Sequence, residues 1–397
     1  MLSNPFDTHR RNKMLSNPFD THRRNKMLSS DVVKQTISRR TLLRLMGSGA
    51  AGALLISCTP VAAPTASTGA AGQAAKKMVI GYTLPWGIVN SAAKAFYDTV
   101  EEWAAREDVI LKSVAVGEDV QKQTNIIQDW VATGTYDGIL MIPNSSDTMT
   151  TAVEMANAAN VLVACMDRTV TGGNVVATVT SDNYACGKLA GEQAVKLLTD
   201  KYGTPKGKVL ELQGDLAAEI ITLRQNGFND VMAKYPGVEL LQKPTNFDQN
   251  TAYSATMDAL AANDDIDLIF WQSDIIAVSA VGAVKDSGKL AMRDAPNHIF
   301  LVGIDGQTPM LEYIKQGYAD GVANQALLAF GYSVKFLKDA WEGNPVKVGD
   351  QIVEEGEYWS PATIAKGANG PEMMLPPMWV DATNVDDPSL WGWQKVS

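Results

Sequence analysis

The chain has 397 residues, with 34 Lys and Arg against 44 Asp and Glu, a formal charge of −10. That balance excludes a nucleic-acid surface, which needs a basic patch, and a polybasic face for anionic lipid. His9 and His22 fall in a duplicated N-terminal segment, so a Ser-His-Asp hydrolase or a His-ligated metal centre would have to be built on His298 alone.

Residues 1–13 (MLSNPFDTHRRNK) recur unchanged as 14–26, and a third copy starts at Met27 and diverges. Such a repeat builds no core, and Met27 is a second candidate for the start of translation. Ser38-Arg39-Arg40-Thr41-Leu42-Leu43-Arg44 then leads into an apolar run that closes on Leu55-Ile56-Ser57-Cys58. The run is too short for a bilayer core, which takes about 20 apolar residues, and reads as the apolar region of a signal peptide. Its end resembles the lipobox of bacterial lipoproteins, with Cys58 as the acylated first mature residue. The double arginine resembles a twin-arginine export signal, with Leu42 where Phe is usual. Residues 58–77, rich in Pro, Ala, Thr and Gly, read as a solvated tether. Of the 34 basic and 44 acidic residues, ten and three lie in residues 1–57, which leaves the mature chain at 24 and 41, a formal −17.

From Met78 strands and helices alternate. Val79–Leu84 reads as a strand. Ala92, Ala93, Phe96, Val100, Trp103 and Ala104 recur at helical spacing over Ser91–Arg106. Strand Val109–Val116, helix Val120–Thr133, strand Tyr136–Ile142, helix Asp147–Ala159 and strand Val161–Met166 follow. After strand Val175–Thr180 the pattern restarts: helix Tyr184–Lys201, strand Lys208–Leu212, helix Ala217–Lys234, strand Val238–Lys243, helix Gln249–Ala262 and strand Asp267–Trp271. Helix Ile275–Ser287, strand Ile299–Ile304, helix Thr308–Lys315, strand Ala319–Ala323 and helix Ala326–Glu342 complete it. Repeated βαβ units imply an α/β fold of two doubly wound parallel-sheet lobes. Cys165 and Cys186 read as buried thiols, with a bridge between them as the alternative. His298 reads as a surface or strand-edge residue.

In open parallel sheets the ligand sits beyond the strand C-terminal ends. Those ends are Leu84–Asn90, Pro143–Asp147, Asp167–Arg168, Gln213–Gly214, Gln272–Asp274 and Asp305–Gly306. Gly47–Gly52 fits a dinucleotide Gly-x-Gly-x-x-Gly, but it lies inside the signal and follows no strand, and no phosphate-binding Gly-x-x-x-x-Gly-Lys-Ser/Thr occurs. No cofactor is expected. Asp167, Arg168, Arg224 and Asp305 remain, with a formal sum of zero. A charge-balanced set suits a neutral ligand rich in hydroxyls, each donating to a carboxylate and accepting from a guanidinium. Trp86, Phe247 and Trp271 could face the C–H side of a ring. An Asp after a strand also serves as a helix N-cap, the role that suits Asp274, and Trp271 in an apolar strand reads as core.

At these residues the chain resembles a family. Val161–Ala190 (VLVACMDRTVTGGNVVATVTSDNYACGKLA), KVLELQG, RQNGFNDVM, PTNFD, VGIDG and GYADGVANQ are similar to segments of the periplasmic sugar-binding proteins of ABC importers, ribose-binding type. The resemblance covers Met78–Asn324 and implies a type 1 periplasmic binding fold, joined by a three-segment hinge. It implies that Asp167 and Arg168 bind sugar hydroxyls from the first lobe and Arg224 and Asp305 from the second. Gln325 would sit at the hinge, Phe247 would stack on the ring, and Asn90 would replace the family's early asparagine. Three positions depart from the pattern. Ala92 and Ala93 stand where the family has paired aromatics, so that Trp86 would supply the face. Ser273 replaces an asparagine before Asp274, and Asn144 lies one place off.

The lobes are expected as 78–181 plus 326–376 and 182–325 plus 377–397, with Trp391 and Trp393 packing the tail onto the second lobe. The expected protein is a monomeric, lipid-anchored extracytoplasmic receptor with no catalytic step. It captures a small neutral sugar or polyol and hands it to an ABC permease. A regulator of the lactose-repressor type shares this core, but the signal, tether and charge argue against it. A sugar-modifying enzyme lacks usable histidine. Inositol or a furanosyl signalling compound is an alternative ligand.

Overall fold

The computed structural model describes residues 76–216 and 218–393. The duplicated segment, the signal, Cys58, the tether up to residue 75 and Gly47–Gly52 lie outside the described residues.

The elements in chain order are β1 (Val79–Leu84), α1 (Ser91–Arg106), β2 (Ile110–Ala115), α2 (Val120–Thr133), β3 (Gly138–Met141), α3 (Thr150–Ala158), β4 (Leu162–Met166) and β5 (Thr178–Ser181). Then come α4 (Asn183–Tyr202), β6 (Gly207–Gln213), α5 (Glu219–Met232), β7 (Val238–Pro244), α6 (Gln249–Ala262), β8 (Ile266–Trp271), α7 (Ala277–Asp286), β9 (Phe300–Asp305), α8 (Thr308–Lys315) and β10 (Gly321–Asn324). The chain ends with α9 (Tyr332–Trp341), β11 (Gln351–Ile352), β12 (Ala362–Lys366), β13 (Pro371–Leu375) and β14 (Met378–Val380).

Two sheets result, in the order β11-β12-β13-β5-β4-β3-β1-β2 and β14-β10-β9-β8-β6-β7. The run β2-β1-β3-β4-β5 is parallel, and β7-β6-β8-β9-β10 repeats the same winding. In each, strand order reverses beside the first strand, which opens a crevice beyond the carboxyl ends. The central strands of each sheet are buried on both faces. Tyr82, Leu140 and Met166 pack under α1 and α9, while Ile139, Val163 and Cys165 pack under α2 and α3. Leu210, Ile269 and Leu301 pack under α6 to α8, while Val209, Phe270 and Val302 pack under α4 and α5. That is why the strands read as continuous apolar runs rather than as alternating ones.

Side-chain caps set several helix starts: Asn90, Asp119, Asp182 and Asp248 each accept a backbone N–H from the first turn. Helices α2 and α4 stop on Gly134 and Gly203, whose φ of 61° and 73° suit the left-handed cap.

The structure differs from the sequence reading in four places. The helices expected from Ile275 and Ala326 begin as 3₁₀ turns, Asp274–Ile276 and Leu327–Gly331. Strands β11 to β14 were not anticipated. His298 is buried, not on the surface: its Nε2 lies 3.0 Å from Asp320 and its Nδ1 2.9 Å from the Ala291 carbonyl. Cys165 and Cys186 match their reading as buried thiols: both are free, pushed up to about 12 by burial, and the alternative bridge is not formed. Trp391 packs into the first sheet's cluster, and only Trp393 packs against the second.

The chain passes from the first sheet to the second at 181–183, back at 324–327, and across again at Pro376-Pro377 between β13 and β14. Among the described residues no helix is long and apolar enough to cross a membrane.

Candidate functional site

Helices α4 and α5 meet backbone to backbone. A Cβ on Gly187 would lie 1.9 Å from the Arg224 carbonyl oxygen, and one on Gly227 would lie 2.1 Å from that of Tyr184. This close crossing sets Arg224, which is 4 % exposed, beneath the ends of β8 and β9. Its Nε donates to Asn183 Oδ1 (2.9 Å), and its Nη1 donates to the Gln272 carbonyl (2.6 Å) and to Asp305 Oδ1 (3.0 Å). A guanidinium has five N–H donors. Three are taken, and the two on Nη2 have no acceptor among the described residues.

Asp305 closes β9 with φ of 119°, a strained value for an L residue. Its Oδ2 accepts from Ser273 Oγ (2.7 Å) and from the Asp274 N–H (3.0 Å). With Arg224 on Oδ1, three of about four carboxylate acceptor positions are filled. One remains. The two residues therefore present donors and a single acceptor side by side.

Asp167 follows β4 with φ of 65°. Its N–H donates to the Val179 carbonyl and its own carbonyl accepts from Thr180 Oγ1, so the strand pair fixes its backbone. Burial pushes the carboxyl above its ordinary value; Arg168, and then Arg224 from the other lobe, pull it back, and Asp305 pushes it up. The four ionisable candidates thus share one field. Arg168 Nε is 3.6 Å from Asp167 Oδ2, and its guanidinium carbon is 5.5 Å from the Trp86 ring centroid. Trp86 in turn stacks on Phe96, 6.0 Å between centroids at 29°. Its ring therefore supports the arginine and is not a bare platform.

The other candidates divide. Phe247 has φ of 59° and is half-buried, with its ring seated on Gly214, where a Cβ would lie 2.6 Å from it. Gln325 is buried with its Nε2 unpartnered. Asn144 donates through Nδ2 to the Gly117 carbonyl. Asn90 caps α1 through a 2.8 Å bond from the Ala93 N–H. The Ser273 hydroxyl is directed to Asp305. Cys58 lies outside the described residues.

A cavity of about 650 Å3 lies between the lobes. Asn144, Asp167 and Arg168 line it from the first, and Asn183, Glu219 and Leu223 from the second. The other seven candidates are not in its wall. A larger hollow, about 730 Å3, lies at the amino ends of strands β6 to β9, away from the candidate site. Its charges pair with one another, as in Lys201–Asp267 at 2.8 Å and Lys208–Asp265 at 2.9 Å, and it holds no candidate residue.

Sequence reading missed four groups. Among the described residues, Tyr82 OH, Thr83 Oγ1, Ser181 Oγ and Gln307 Nε2 are buried without a hydrogen-bond partner, as are Arg168 Nε and Gln325 Nε2. These six belong to residues at or near strand C-terminal ends; a seventh, Asp320 Oδ1, stands apart before β10, 3.7 Å from Arg293 Nε. A buried polar atom without a partner is costly, so the concentration of orphans there marks where the fold is incomplete without a ligand or water. Adjacent hydroxyl side chains, Tyr82 and Thr83, in the buried β1 were the available signal.

The description of the periplasmic binding protein domain matches residues 78–345. The chain belongs to the periplasmic binding protein family. Members bind solutes for ABC transporters outside the cytoplasm and are not enzymes. Among its relatives, a ribose import binding protein of Escherichia coli (strain K12) is 32% identical over 224 residues, 55% of this chain and 71% of the relative. A D-apiose import binding protein of Paraburkholderia graminis is 26% identical over 266 residues, 65% and 77% of the two chains. An ABC transporter solute binding protein from Bacillus halodurans, solved with bound myo-inositol, superposes with a TM-score of 0.66 at 22% identity, covering 80% of this chain and 99% of that one.

Proposed function

We propose that this protein captures a small neutral sugar or polyol between its lobes and delivers it to an ABC permease. The observation that carries this reading is the free valence on Arg224 and Asp305. Two guanidinium donors and one carboxylate acceptor stand adjacent, in a common field with Asp167 and Arg168 of the first lobe. A hydroxyl accepts from the arginine and donates to the aspartate, and the second lobe would hold one in this way. A polyhydroxy compound spans both lobes, and contacts on both are what favour a closed state over an open one. The names of the relatives support a sugar, an apiose-like pentose or a cyclitol as the class.

In this reading the first lobe is 78–181 plus 326–376 and the second 182–325 plus 377–397, with hinges at the three crossings. Asp167, Arg168, Arg224 and Asp305 bind hydroxyls. Phe247 covers the ring, Gln325 sits at the hinge, Asn144 lines the first-lobe wall, and Trp86 supports Arg168 from behind it. Asn90 and Ser273 act through α1 and Asp305. The chain works as a monomer, held to the membrane by lipid on Cys58 and exported by way of Arg39-Arg40.

Calorimetric titration of the mature protein with D-ribose, D-apiose and myo-inositol tests the ligand class. Saturable binding of at least one, lost in Asp167→Asn, is expected. No heat from any of the three, together with binding of an amino acid or a sugar phosphate, would overturn it. Loss of membrane association in Cys58→Ser tests the anchor.

A further inference from the structure

Asp274 has the sequence signature of a helix cap, yet it does not cap its own turn. Ser273 is the residue that accepts from the Ile275 N–H there. The Asp274 carboxylate reaches instead to the neighbouring strand end. Oδ2 accepts the N–H groups of Gly306 (2.8 Å) and Gln307 (2.9 Å), the two residues after Asp305. Oδ1 accepts the Trp271 indole N–H at 2.8 Å. In return the Asp274 N–H donates to Asp305 Oδ2. The ends of β8 and β9 thus clasp each other through two aspartates.

Asp305 and Gly306 have φ of 119° and 98°, backbone that persists only where its surroundings over-determine it. The N–H groups held by Asp274 belong to that stretch. Gly303 leaves the room the clasp needs, since a Cβ there would lie 2.1 Å from Trp271 Nε1 and 2.8 Å from Asp274 Oδ1. Asp274 is 3 % exposed and touches no open space of the cleft. Burial pushes its carboxyl up to about 8, with Asp305 adding to the push, while its three N–H donors oppose it. A carboxyl group kept in so unfavourable a place, with Oδ2 given to the two N–H groups of the Asp305 turn and Oδ1 held by the Trp271 indole, is placed to fix that turn.

We propose that Asp274 is the positioning residue of the second-lobe ligand groups: it touches no ligand, and it sets where Asp305 points by holding the backbone just after it and by donating its own N–H to the Asp305 carboxylate. This rests on the sugar-binding reading above. Asp274→Asn keeps the size but has only one acceptor oxygen. If that oxygen serves Gly306 and Gln307, the amide N–H₂ meets the Trp271 indole N–H, donor against donor. Trp271→Phe removes that conflict.

The experiment measures Kd on the folded mature protein with D-ribose, D-apiose and myo-inositol, beside the ligand-free melting temperature. Asp274→Ala and Asp274→Asn should each weaken binding at least tenfold, about 1.4 kcal/mol per decade. Trp271→Phe added to Asp274→Asn should recover at least threefold of the loss, although it lowers the melting temperature further. A merely structural Asp274 lowers the melting temperatures and leaves Kd within twofold. That result, or a loss with no recovery in the double variant, overturns the positioning role while wild-type binding still stands. If wild type binds none of the three sugars, the sugar-binding reading falls and this inference falls with it. Should Asp274→Ala not fold, the isosteric Asn variants carry the whole comparison.

Discussion

Gly187 and Arg224 touch through their backbones, at a distance that leaves no room for even a methyl group between α4 and α5. The contact is remote from solvent, yet it decides how far the guanidinium reaches toward Asp305. Gly187→Ala must push the helices apart. Overpacking of this kind costs about 1–3 kcal/mol. Urea unfolding should show that loss, and ligand affinity should fall with it because Arg224 retreats from the strand ends. An unchanged affinity in a folded variant would separate the crossing from the site.

Arg224→Ala and Asp305→Ala should each reduce sugar affinity at least a hundredfold by calorimetry. Each variant should also lose about 3–5 kcal/mol of stability, because removing either partner leaves the other's charge buried and uncompensated. Far-ultraviolet circular dichroism at 20 °C distinguishes lost contacts from lost structure.

Glu211 lies inside the second sheet with its two oxygens accepting from Gln242 and Gln272 amides at 2.7 and 2.5 Å. Burial raises its carboxyl from an ordinary 4.5 to about 7, against those two hydrogen bonds. A raised carboxyl binds its proton more tightly folded than unfolded. Stability therefore falls as pH rises through the window between about 4.5 and 7 and is level above it. The drop should be about 3 kcal/mol. Glu211→Gln should match wild type near pH 4.5 and exceed it by a similar amount near pH 8, since the half-exposed Gln242 amide can turn to face it. Equal pH slopes in the two proteins would refute the assignment.

Trp391 fills the first-lobe cluster and donates its indole N–H to the Gln325 carbonyl at 3.0 Å. Trp391→Ala should destabilise the protein by about 3–5 kcal/mol, the range for emptying a large buried aromatic site. Trp393→Ala, whose ring is only partly buried, should cost less. Thermal unfolding of the two variants side by side checks the order.

The parallel cores were legible because strands covered on both faces must be apolar throughout, and the groups after them stand out as soon as the run ends. Asp167, Arg168 and Asp305 follow directly from that rule. Strands β11 to β13 were not legible. They form an edge, and the burial of Ala362–Lys366 alternates between the two faces for only part of its length. The pairings that finish the site were hidden for another reason. Ser273 and Asp305 are 32 residues apart, and His298 meets Asp320 across 22. Each residue type has an ordinary local use, as cap or as surface polar group. Only the sheet order shows that β8 and β9 are neighbours and that these side chains face one another.

The last described turn, Trp391–Trp393, has one indole in each lobe's apolar cluster, and the Gly392 carbonyl between them accepts from Thr308 Oγ1. A Cβ on Gly392 would lie 2.1 Å from the Gly306 carbonyl, one residue beyond Asp305. This has a practical bearing on how the protein is handled. An affinity tag, fluorophore or surface linkage fused after Ser397 hangs four residues from that junction and pulls on the ligand groups. Attachment in the Pro- and Ala-rich stretch ahead of Lys76 loads neither lobe's junction, and is the better choice for a biosensor or an immobilised binding assay.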